Sequence, residues 1–289
     1  MTVTPTALVI GEALIDAVER PSGREEYPGG GPMNIAVGLA RLGVPTTLHT
    51  QIGRDARGDA VVAHIDRSGV ALTPGSRADG ATSLAEATLR ADGSASYRFT
   101  IAWDPASVDV SNYALVHTGS IGANMLPGAD TVERALRNAT GLVSYDPNIR
   151  ADLMGDHAEA AARVERFVAL SHIVKASDED IAWLYPGRSI DDALTTWRTL
   201  GPRLVVITRG GEGASALGDD GRHDVTAEKV TVIDTIGAGD SFMSALIAGA
   251  LERGLDETPP LIAQAARAAA ITVSRAGANP PLRAELVTP

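Results

Sequence analysis

Residues 234–241 read Asp-Thr-Ile-Gly-Ala-Gly-Asp-Ser and lead directly into an apolar, helix-forming stretch. Two glycines and an alanine leave the backbone N–H groups uncovered where the helix should begin, and such an N-terminus attracts anions. Asp240 lies in the same turn, although a site that only held phosphate would exclude a second negative charge. The pattern therefore predicts chemistry on a phosphate, with amides holding the charge and a carboxylate taking a proton. A glycine-rich turn with an aspartate cap is the alternative interpretation.

The composition is that of an ordinary globular protein. The chain has 289 residues, of which 44% are hydrophobic and 21% are charged, enough for one large α/β domain or two small ones. A net charge of −11 argues against nucleic acid or an anionic membrane as partner, and the absence of cysteine excludes disulfides and thiolate metal sites. We find neither an apolar run of about 20 residues nor a signal peptide pattern, and we expect a cytoplasmic protein.

Short apolar runs alternate with helical patterns along most of the chain. Ala7–Ile10 is typical of a buried parallel strand, and from Tyr113 onward strands and helices alternate regularly. This alternation predicts an α/β fold with a mostly parallel sheet and helices on both faces. The predicted strands are 7–10, 46–52, 114–116, 142–145, 172–175, 204–207 and 229–233.

Polar residues follow the ends of the predicted strands. They form the clusters 118–120, 146–150, 175–180 and 208–213, and Glu12 and Asp16 follow the first strand. Because the carboxyl ends of parallel strands meet at one edge of a sheet, we expect these clusters to form a single ligand site.

The stretch 29–34 reads Gly-Gly-Gly-Pro-Met-Asn and opens a helix that continues to Leu42 and ends at Gly43. Three glycines allow a ligand to approach the backbone closely, and Asn34 could meet hydroxyl groups in the first helical turn. A flexible loop is the alternative interpretation.

Residues 83–89 and 96–100 alternate apolar and polar side chains and predict a β-hairpin. Such alternation differs from the continuous apolar runs of the main sheet. We therefore expect a small antiparallel sheet outside it. Phe99 could close over a ligand from this sheet or fill its packed face.

Several other chemistries lack their motifs. The chain contains no His-Glu-x-x-His, no Gly-x-Ser-x-Gly and no P-loop sequence. Residues 237–239 begin like a dinucleotide-binding fingerprint, but Met243 occupies the position of its third glycine. A Rossmann oxidoreductase is therefore disfavoured. Phosphoryl transfer by positioning, a carboxylate base and an amide-lined anion hole remains.

Together, stretches 29–34 and 234–240 resemble the two signatures of the ribokinase-like (PfkB) sugar kinases. Their order, their separation and the chain length match that family over essentially the whole sequence. The resemblance implies one ribokinase-like domain, 1–289, with a three-layer α/β/α architecture, a mostly parallel central sheet and a small β-sheet lid from about 12–28 and 83–103. It also implies ATP as donor, Mg²⁺ with the nucleotide and, in many members, a monovalent cation such as K⁺.

The resemblance assigns roles to residues of the transfer site. Asp240 would be the general base, and Arg150 would face the phosphate being transferred. The amides of the anion hole would belong to Gly237, Ala238 and Gly239. The residues that would hold or cover the sugar are Asp16, Gly30, Asn34 and Phe99, with Asp240.

Further roles concern the nucleotide and the cations. The nucleotide residues would be Lys175, Ser177, Thr208, Gly210, Gly213, Gly237, Gly239 and Asn279. Asp180 matches the Mg²⁺ region, but Ser177 and Asp180 stand where the family often has Asn and Glu, and the shorter carboxylate would reach the metal only through water. Mostly backbone groups would form the K⁺ site, at Asp234, Ile236, Thr272, Arg275 and Gly277. Pro281 at the edge of this loop leaves the cation dependence open.

The sugar is the least defined part of the resemblance. The segment Asp146-x-Asn148-x-Arg150 resembles the fructokinase-like members, which convert D-fructose to fructose 6-phosphate. 2-Keto-3-deoxygluconate kinases and ribokinases share much of this pattern, and nucleoside kinases are more distant. A non-catalytic sugar sensor is a further alternative, although a sensor has no need of Asp240. The open edge of a lid sheet could also pair with a second copy to form a homodimer.

Overall fold

The computed structural model describes residues 4–20, 23–89 and 95–286, and within them it confirms the α/β fold. A large sheet lies between two layers of helices, and a smaller sheet stands apart from it. The strands are β1 Ala7–Ile10, β2 Leu14–Arg20, β3 Gly23–Gly29, β4 Thr46–His49, β5 Ile52–Gly53, β6 Ala71–Leu72, β7 Arg77–Ala78, β8 Leu84–Leu89, β9 Ala95–Thr100, β10 Leu115–Gly119, β11 Leu142–Asp146, β12 Ile173–Ser177, β13 Leu204–Thr208, β14 Ala214–Gly218 and β15 Gly221–Val225. The helices are α1 Gly31–Arg41, α2 Ala56–Asp66, α3 Ser120–Asn124, α4 Gly128–Arg137, α5 His157–Ala169, α6 Asp178–Leu184, α7 Ile190–Thr199, α8 Ala238–Arg253, α9 Thr258–Val273 and α10 Arg283–Leu286.

The large sheet has the strand order β15-β14-β13-β12-β11-β10-β1-β4-β6. The pairs from β13 to β6 are parallel, whereas β13–β14 and β14–β15 are antiparallel. Apolar side chains of α1, α2, α8 and α9 cover one face, and those of α4 to α7 cover the other. Both faces are buried, which explains the continuous apolar runs of the parallel strands.

The predicted strand at 229–233 is wrong. These residues form no strand, and the edge of the sheet beyond β13 is instead taken by the hairpin β14–β15. Val232 and Ile233 are 60% and 64% exposed, so the apolar pattern there does not mark a buried strand. The predicted strand at 46–52 is also too long, because β4 ends at His49 and β5 pairs separately with β7.

The small sheet has the order β3-β2-β8-β9 and is mixed rather than purely antiparallel, since β2 and β8 run parallel. The bounds predicted for it, about 12–28 and 83–103, include residues 21–22 and 90–94, which lie outside the described part of the chain. Arg57 of α2 binds Glu26 of β3 through two hydrogen bonds of 2.6 and 2.9 Å, which ties this sheet to the main body.

The topology brings the two glycine-rich segments together. Helices α1 and α8 pack side by side, and both begin at the edge where the parallel strands have their carboxyl ends. The polar residues after β10, β11, β12 and β13 lie along the same edge, as predicted. In the described residues, no helix is both long and apolar enough to cross a membrane.

Candidate active site

The turn at 234–241 forms the N-terminus of α8, as predicted. Gly237 is the N-cap residue, and its φ of 75° lies in the left-handed region that favours glycine. The first N–H groups of a helix have no acceptor within the helix, so those of Gly239 and Asp240 are available for an anion. The Ala238 N–H donates to Thr235 O at 3.3 Å, a long bond that an anion could replace.

A hydrogen bond joins the two signatures. The Asn34 side chain in the first turn of α1 donates to Asp240 Oδ2 at 2.8 Å. A Cβ atom at Gly31 would lie 3.4 Å from Asp240 Oδ1 and 2.8 Å from Asn148 Nδ2. The missing side chain at Gly31 therefore leaves room beside the second oxygen of Asp240, where a hydroxyl group could sit.

Asp240 is almost fully buried, and burial raises the pKa of its carboxyl above the usual value. The Asn34 hydrogen bond and the positive charges of Lys175 and Arg150 oppose this rise. A carboxylate in these surroundings accepts a proton more readily than one in water, and that is what a general base for a hydroxyl requires.

Beneath the turn lies a buried ion pair. Lys175 Nζ donates to Asp146 Oδ2 at 2.8 Å, and both side chains are at most 5% exposed. Burial would lower the pKa of Lys175, but the charge of Asp146 and the hydrogen bond outweigh it and raise the pKa. A Cβ atom at Gly239 would lie only 3.0 Å from Lys175 Nζ, so glycine lets the ammonium approach the first turn of α8 from below.

The residues predicted to hold the sugar come from the small sheet and from the N-terminal turns of α1 and α8. Gly30 has a φ of 115°, and a Cβ atom there would lie 2.7 Å from Glu12 O, so only glycine fits. Asp16 lies on β2 of the small sheet rather than at the end of β1. Its pKa is raised to about 6, mainly by burial and to a smaller extent by the charge of Asp240, while the charge of Arg150 opposes the rise. Phe99 on β9 is half-buried and packs against the cluster of Leu14, Ala85 and Ile121.

Arg150 follows β11 and is exposed. Its NH1 group donates to Asn148 Oδ1 at 2.7 Å, and its charge acts on Glu12, Asp16 and Asp240. Asn148 itself has a φ of 40°, unusual for a residue with a side chain. Arg150 lies close enough for its charge to lower the pKa of each of the three carboxyls.

Ser177 and Asp180 form a capping box at the start of α6. Asp180 Oδ2 accepts from the backbone N–H and the hydroxyl of Ser177, both at 2.8 Å, and Oδ1 accepts from Ile149 N at 2.8 Å. With both oxygens already bonded, Asp180 suits a water-mediated contact with Mg²⁺ better than a direct one. Within the described part of the chain, no three histidine, aspartate or glutamate side chains form a metal-binding group.

Besides the residues of β12 and α8 already described, the residues predicted for the nucleotide lie at the end of β13, in the turn after it and in the loop after α9. Thr208 ends β13, and the turn that follows contains Gly210 and Gly213, with φ values of 49° and 99°. The Asn279 Oδ1 accepts a hydrogen bond from Arg41 NH1 at 2.6 Å. A contact of this side chain with a base could still use the two N–H donors of its amide.

The segments predicted to bind K⁺ also meet. Asp234 Oδ1 accepts from Ile236 N at 3.0 Å and Oδ2 accepts from Gly277 N at 2.9 Å. Two of the predicted oxygen ligands, Thr272 O and Gly277 O, already accept backbone hydrogen bonds from Arg275 N and Asn279 N. The carbonyl oxygens and the negative charge of this loop suit a hard cation.

Glu12 and the cluster 118–120 were expected at this edge of the sheet, but the sequence did not reveal their contacts or the exposure of several apolar residues. The large apolar side chains of Val230, Val232, Ile233 and Ile236, in and just after the segment predicted as a strand, are exposed, and so is that of Leu282. Glu12 is buried, and its Oε2 accepts a hydrogen bond from Gly122 N at 2.8 Å. Its pKa is raised to about 7 by burial, although hydrogen bonds from Ser120 and other groups oppose the rise. Ser120 has a φ of 53° and lies beside Gly31. Backbone strain at Ser120 and Asn148 leaves no signal in a sequence.

With this geometry established, comparison with known proteins is informative. Residues 5–285 match the pfkB family of carbohydrate kinases. A fructokinase of Rhizobium leguminosarum bv. trifolii is 35% identical over 256 residues, covering 83% of this chain and 78% of its own.

Two solved structures are also similar. A sugar kinase of Pyrococcus horikoshii in complex with ATP has a TM-score of 0.79 and 28% identity, with 96% of each chain covered. A fructokinase of Xylella fastidiosa with bound ATP has a TM-score of 0.84 at 24% identity, covering 98% of this chain and 97% of its own, which supports the fold alone.

The family match spans nearly the whole chain and includes both glycine-rich segments. It sets aside the sensor and the dehydrogenase that the motifs alone left open. The chain belongs to the pfkB family of carbohydrate kinases, which makes it an ATP-dependent phosphotransferase acting on a sugar.

Proposed function

We propose that the protein is a fructokinase that transfers the γ-phosphoryl group of ATP to D-fructose and forms fructose 6-phosphate. The observation that carries the proposal is the Asn34–Asp240 hydrogen bond, which sets a buried carboxylate between a glycine-lined space and the amides of α8. The fructokinase at 35% identity and the Asp146-x-Asn148-x-Arg150 segment favour fructose as acceptor.

In the proposed reaction the sugar hydroxyl lies beside Asp240 Oδ1. The hydroxyl oxygen attacks the γ-phosphorus, its proton passes to Asp240, and the bond to the β-phosphate oxygen breaks to release ADP. The amides of Gly237, Ala238 and Gly239 and the guanidinium of Arg150 would stabilise the charge on the transferred group. Lys175, directly beneath Gly239, would add a positive charge from below.

The remaining groups hold the two substrates. Asp16, Gly30 and Asn34 would bind sugar hydroxyls, with Phe99 covering the ring. The phosphates would lie near Ser177, Thr208, Gly210 and Gly213, and the exposed apolar residues named above would contact the base beside Asn279. Mg²⁺ bound with the nucleotide would neutralise phosphate charge, and Asp180 would contact it through water. K⁺ would bind the oxygens of the loops around Asp234 and Gly277.

An acceptor panel tests the assignment of the sugar. The initial rate of ADP release is measured with fructose, ribose, 2-keto-3-deoxygluconate and adenosine, each over a range of concentrations. We expect the highest kcat/KM with fructose. A higher kcat/KM with any of the other three would replace fructose as the acceptor while leaving the phosphotransfer reaction in place.

Sugar binding should depend on pH through Asp16. Its pKa of about 6 lies above the ordinary value of 3.8, so it loses its charge about two pH units earlier than a free aspartate as the pH falls. We expect the KM for the sugar to rise below about pH 6. Asp16→Asn should raise that KM about tenfold at pH 7, the size of a lost charged hydrogen bond. If the KM of this variant still changed between pH 7 and pH 5 as in the wild type, another group would be responsible.

We propose one kinase domain over 1–289, with the small sheet acting as a lid that closes on the sugar. Hydrogen exchange in β8 and β9, 84–89 and 95–100, should slow when saturating fructose is added, because closure would protect their backbone amides. The strands β14 and β15, far along the large sheet, serve as the control and should not respond. Equal exchange in β8 and β9 with and without sugar would contradict closure.

The small sheet also leaves β3 and β9 as edge strands, and we propose that the protein forms a homodimer through this sheet. Light scattering at micromolar concentration should give twice the chain mass, and a monomer would contradict the proposal. The cytoplasm remains the predicted compartment.

A further inference from the structure

Arg41 ends α1 and reaches across to the segment 276–281. Its NH1 group donates one hydrogen bond to Asn279 Oδ1 at 2.6 Å and another to Pro280 O at 2.7 Å. Burial lowers the pKa of the half-buried guanidinium, and the nearby charges of Arg275 and Glu285 act on it with opposite signs. Arg275 and Glu285 pair with each other, whereas both hydrogen bonds of Arg41 NH1 go to the segment.

The segment 276–281 contacts both the turn that begins α8 and the body of α1. A Cβ atom at Gly237 would lie 2.7 Å from Ala278 Cβ, so Ala278 rests directly against the N-cap of α8. Gly277 N donates to Asp234 Oδ2 at 2.9 Å, just before that turn. Pro280 is buried against α1, 3.7 Å from where a Cβ atom at Gly38 would lie. The segment therefore lies between the end of α1 and the amides proposed to hold the phosphoryl group.

Helix α1 contacts both parts of the site through its two ends. Its first turn carries Asn34, which bonds Asp240, and its last residue is Arg41. Asn34 and Arg41 lie about two turns apart on this helix, roughly 10 Å along its axis, so a change at Arg41 does not touch the sugar side directly.

We infer that Arg41 is a positioning residue for the nucleotide side of the site: it holds the segment 276–281 against α1 and thereby supports the turn at Gly237. This inference rests on the proposed function, because it assigns the segment and the turn to ATP. Loss of the two bonds frees Asn279 and Pro280 and removes the support beneath Ala278. Affinity for ATP then falls, while the sugar residues at the other end of α1 keep their places.

The test compares Arg41→Met, Arg41→Lys and the control Arg283→Met. The Arg283→Met variant removes the same charge nearby. In the wild type, Arg283 donates to Leu42 O and pairs with Glu252, and neither contact is with the segment. Two quantities are measured without sugar: the Kd for Mg-ATP by calorimetry, and hydrogen exchange in 236–240 and 276–281 of the ligand-free protein.

We expect Arg41→Met to raise the Kd for ATP about tenfold and to speed exchange in both segments, since each lost bond had a charged donor. Arg41→Lys should lie between it and the wild type, because an ammonium can still reach one of the two acceptors. Arg283→Met should stay within about twofold of the wild type, as should the KM for sugar in every variant that turns over.

The inference would be overturned if the Arg41→Met and Arg283→Met variants had the same Kd for ATP and the same exchange rates in both segments. If Arg41→Met fails to fold, an unchanged Kd and unchanged exchange in Arg41→Lys would overturn it equally. A wild type that binds ATP but phosphorylates no sugar would contradict the proposed function alone. If even ATP binding were absent, faster exchange in ligand-free Arg41→Met would still support the positioning role.

Discussion

Replacing Asp240 by asparagine or alanine is expected to lower kcat by at least about 10²-fold, the usual size of a general-base contribution. Asparagine keeps the shape of the side chain and can still accept from Asn34, but it cannot take the proton of the hydroxyl. The dissociation constants for sugar and ATP should change little, because Asp16, Asn34 and the nucleotide residues remain. Turnover is measured by ADP release, and binding by calorimetry.

Stability supplies the control for this variant. Burial raises the pKa of Asp240, so ionising this carboxyl at pH 7 costs more free energy in the folded protein than in the unfolded chain and opposes folding. Asp240→Asn removes that charge, so its Tm at pH 7 should equal or exceed that of the wild type. A near-normal kcat in a folded Asp240→Asn would remove Asp240 from the role of base.

Replacing Lys175 by methionine is expected to be the most destabilising of the changes considered. It leaves the Asp146 carboxylate buried without its partner, and breaking a buried pair in this way costs about 3–5 kcal/mol. The free energy of unfolding from urea denaturation measures the effect. Turnover should fall as well, because Lys175 Nζ lies directly beneath Gly239.

The double variant Lys175→Met/Asp146→Asn separates the two effects. The double variant has no unpaired buried charge, so most of the lost free energy of unfolding should return. Turnover should stay low, since no positive charge then lies under the proposed anion hole. If the double variant regained full turnover, Lys175 would be a stabilising residue only, and a stability loss below about 1 kcal/mol in the single variant would contradict the buried pair itself.

Much of the fold follows from local sequence patterns. Ala7–Ile10 and Leu204–Thr208 are continuous apolar runs because helices cover both faces of the large sheet, and this burial is what the pattern records. The same rule failed at 229–233, where the apolar residues are exposed instead of buried. An apolar run does not by itself show that helices cover it.

The site was predicted less completely, because its contacts join distant parts of the chain. The turn at 234–241 indicated Asp240, but nothing local shows that Asn34, 206 positions earlier, bonds its carboxylate. Likewise, Lys175 and Asp146 lie in strands whose sequences look ordinary. They become partners only because β11 and β12 pair in parallel. Motifs identify the segments that form such a site, whereas the ion pairs and hydrogen bonds between those segments depend on the topology.

Asp180 and Asn279 show a different limit. Their positions were predicted from the resemblance, yet Asp180 caps α6 and Asn279 is bonded by Arg41. A side chain that can bind a ligand can equally satisfy a helix end or a loop, and sequence alone does not choose between the two. Their proposed contacts with Mg²⁺ and the base remain predictions.

The most direct test of the account follows the phosphorus atom itself. Wild-type protein is mixed with ATP, Mg²⁺ and fructose, and the products are observed by ³¹P NMR. The account predicts that ADP and a single sugar phosphate ester, fructose 6-phosphate, appear in equal amounts. Release of inorganic phosphate without an ester, or ATP that stays intact with every sugar offered, would contradict it.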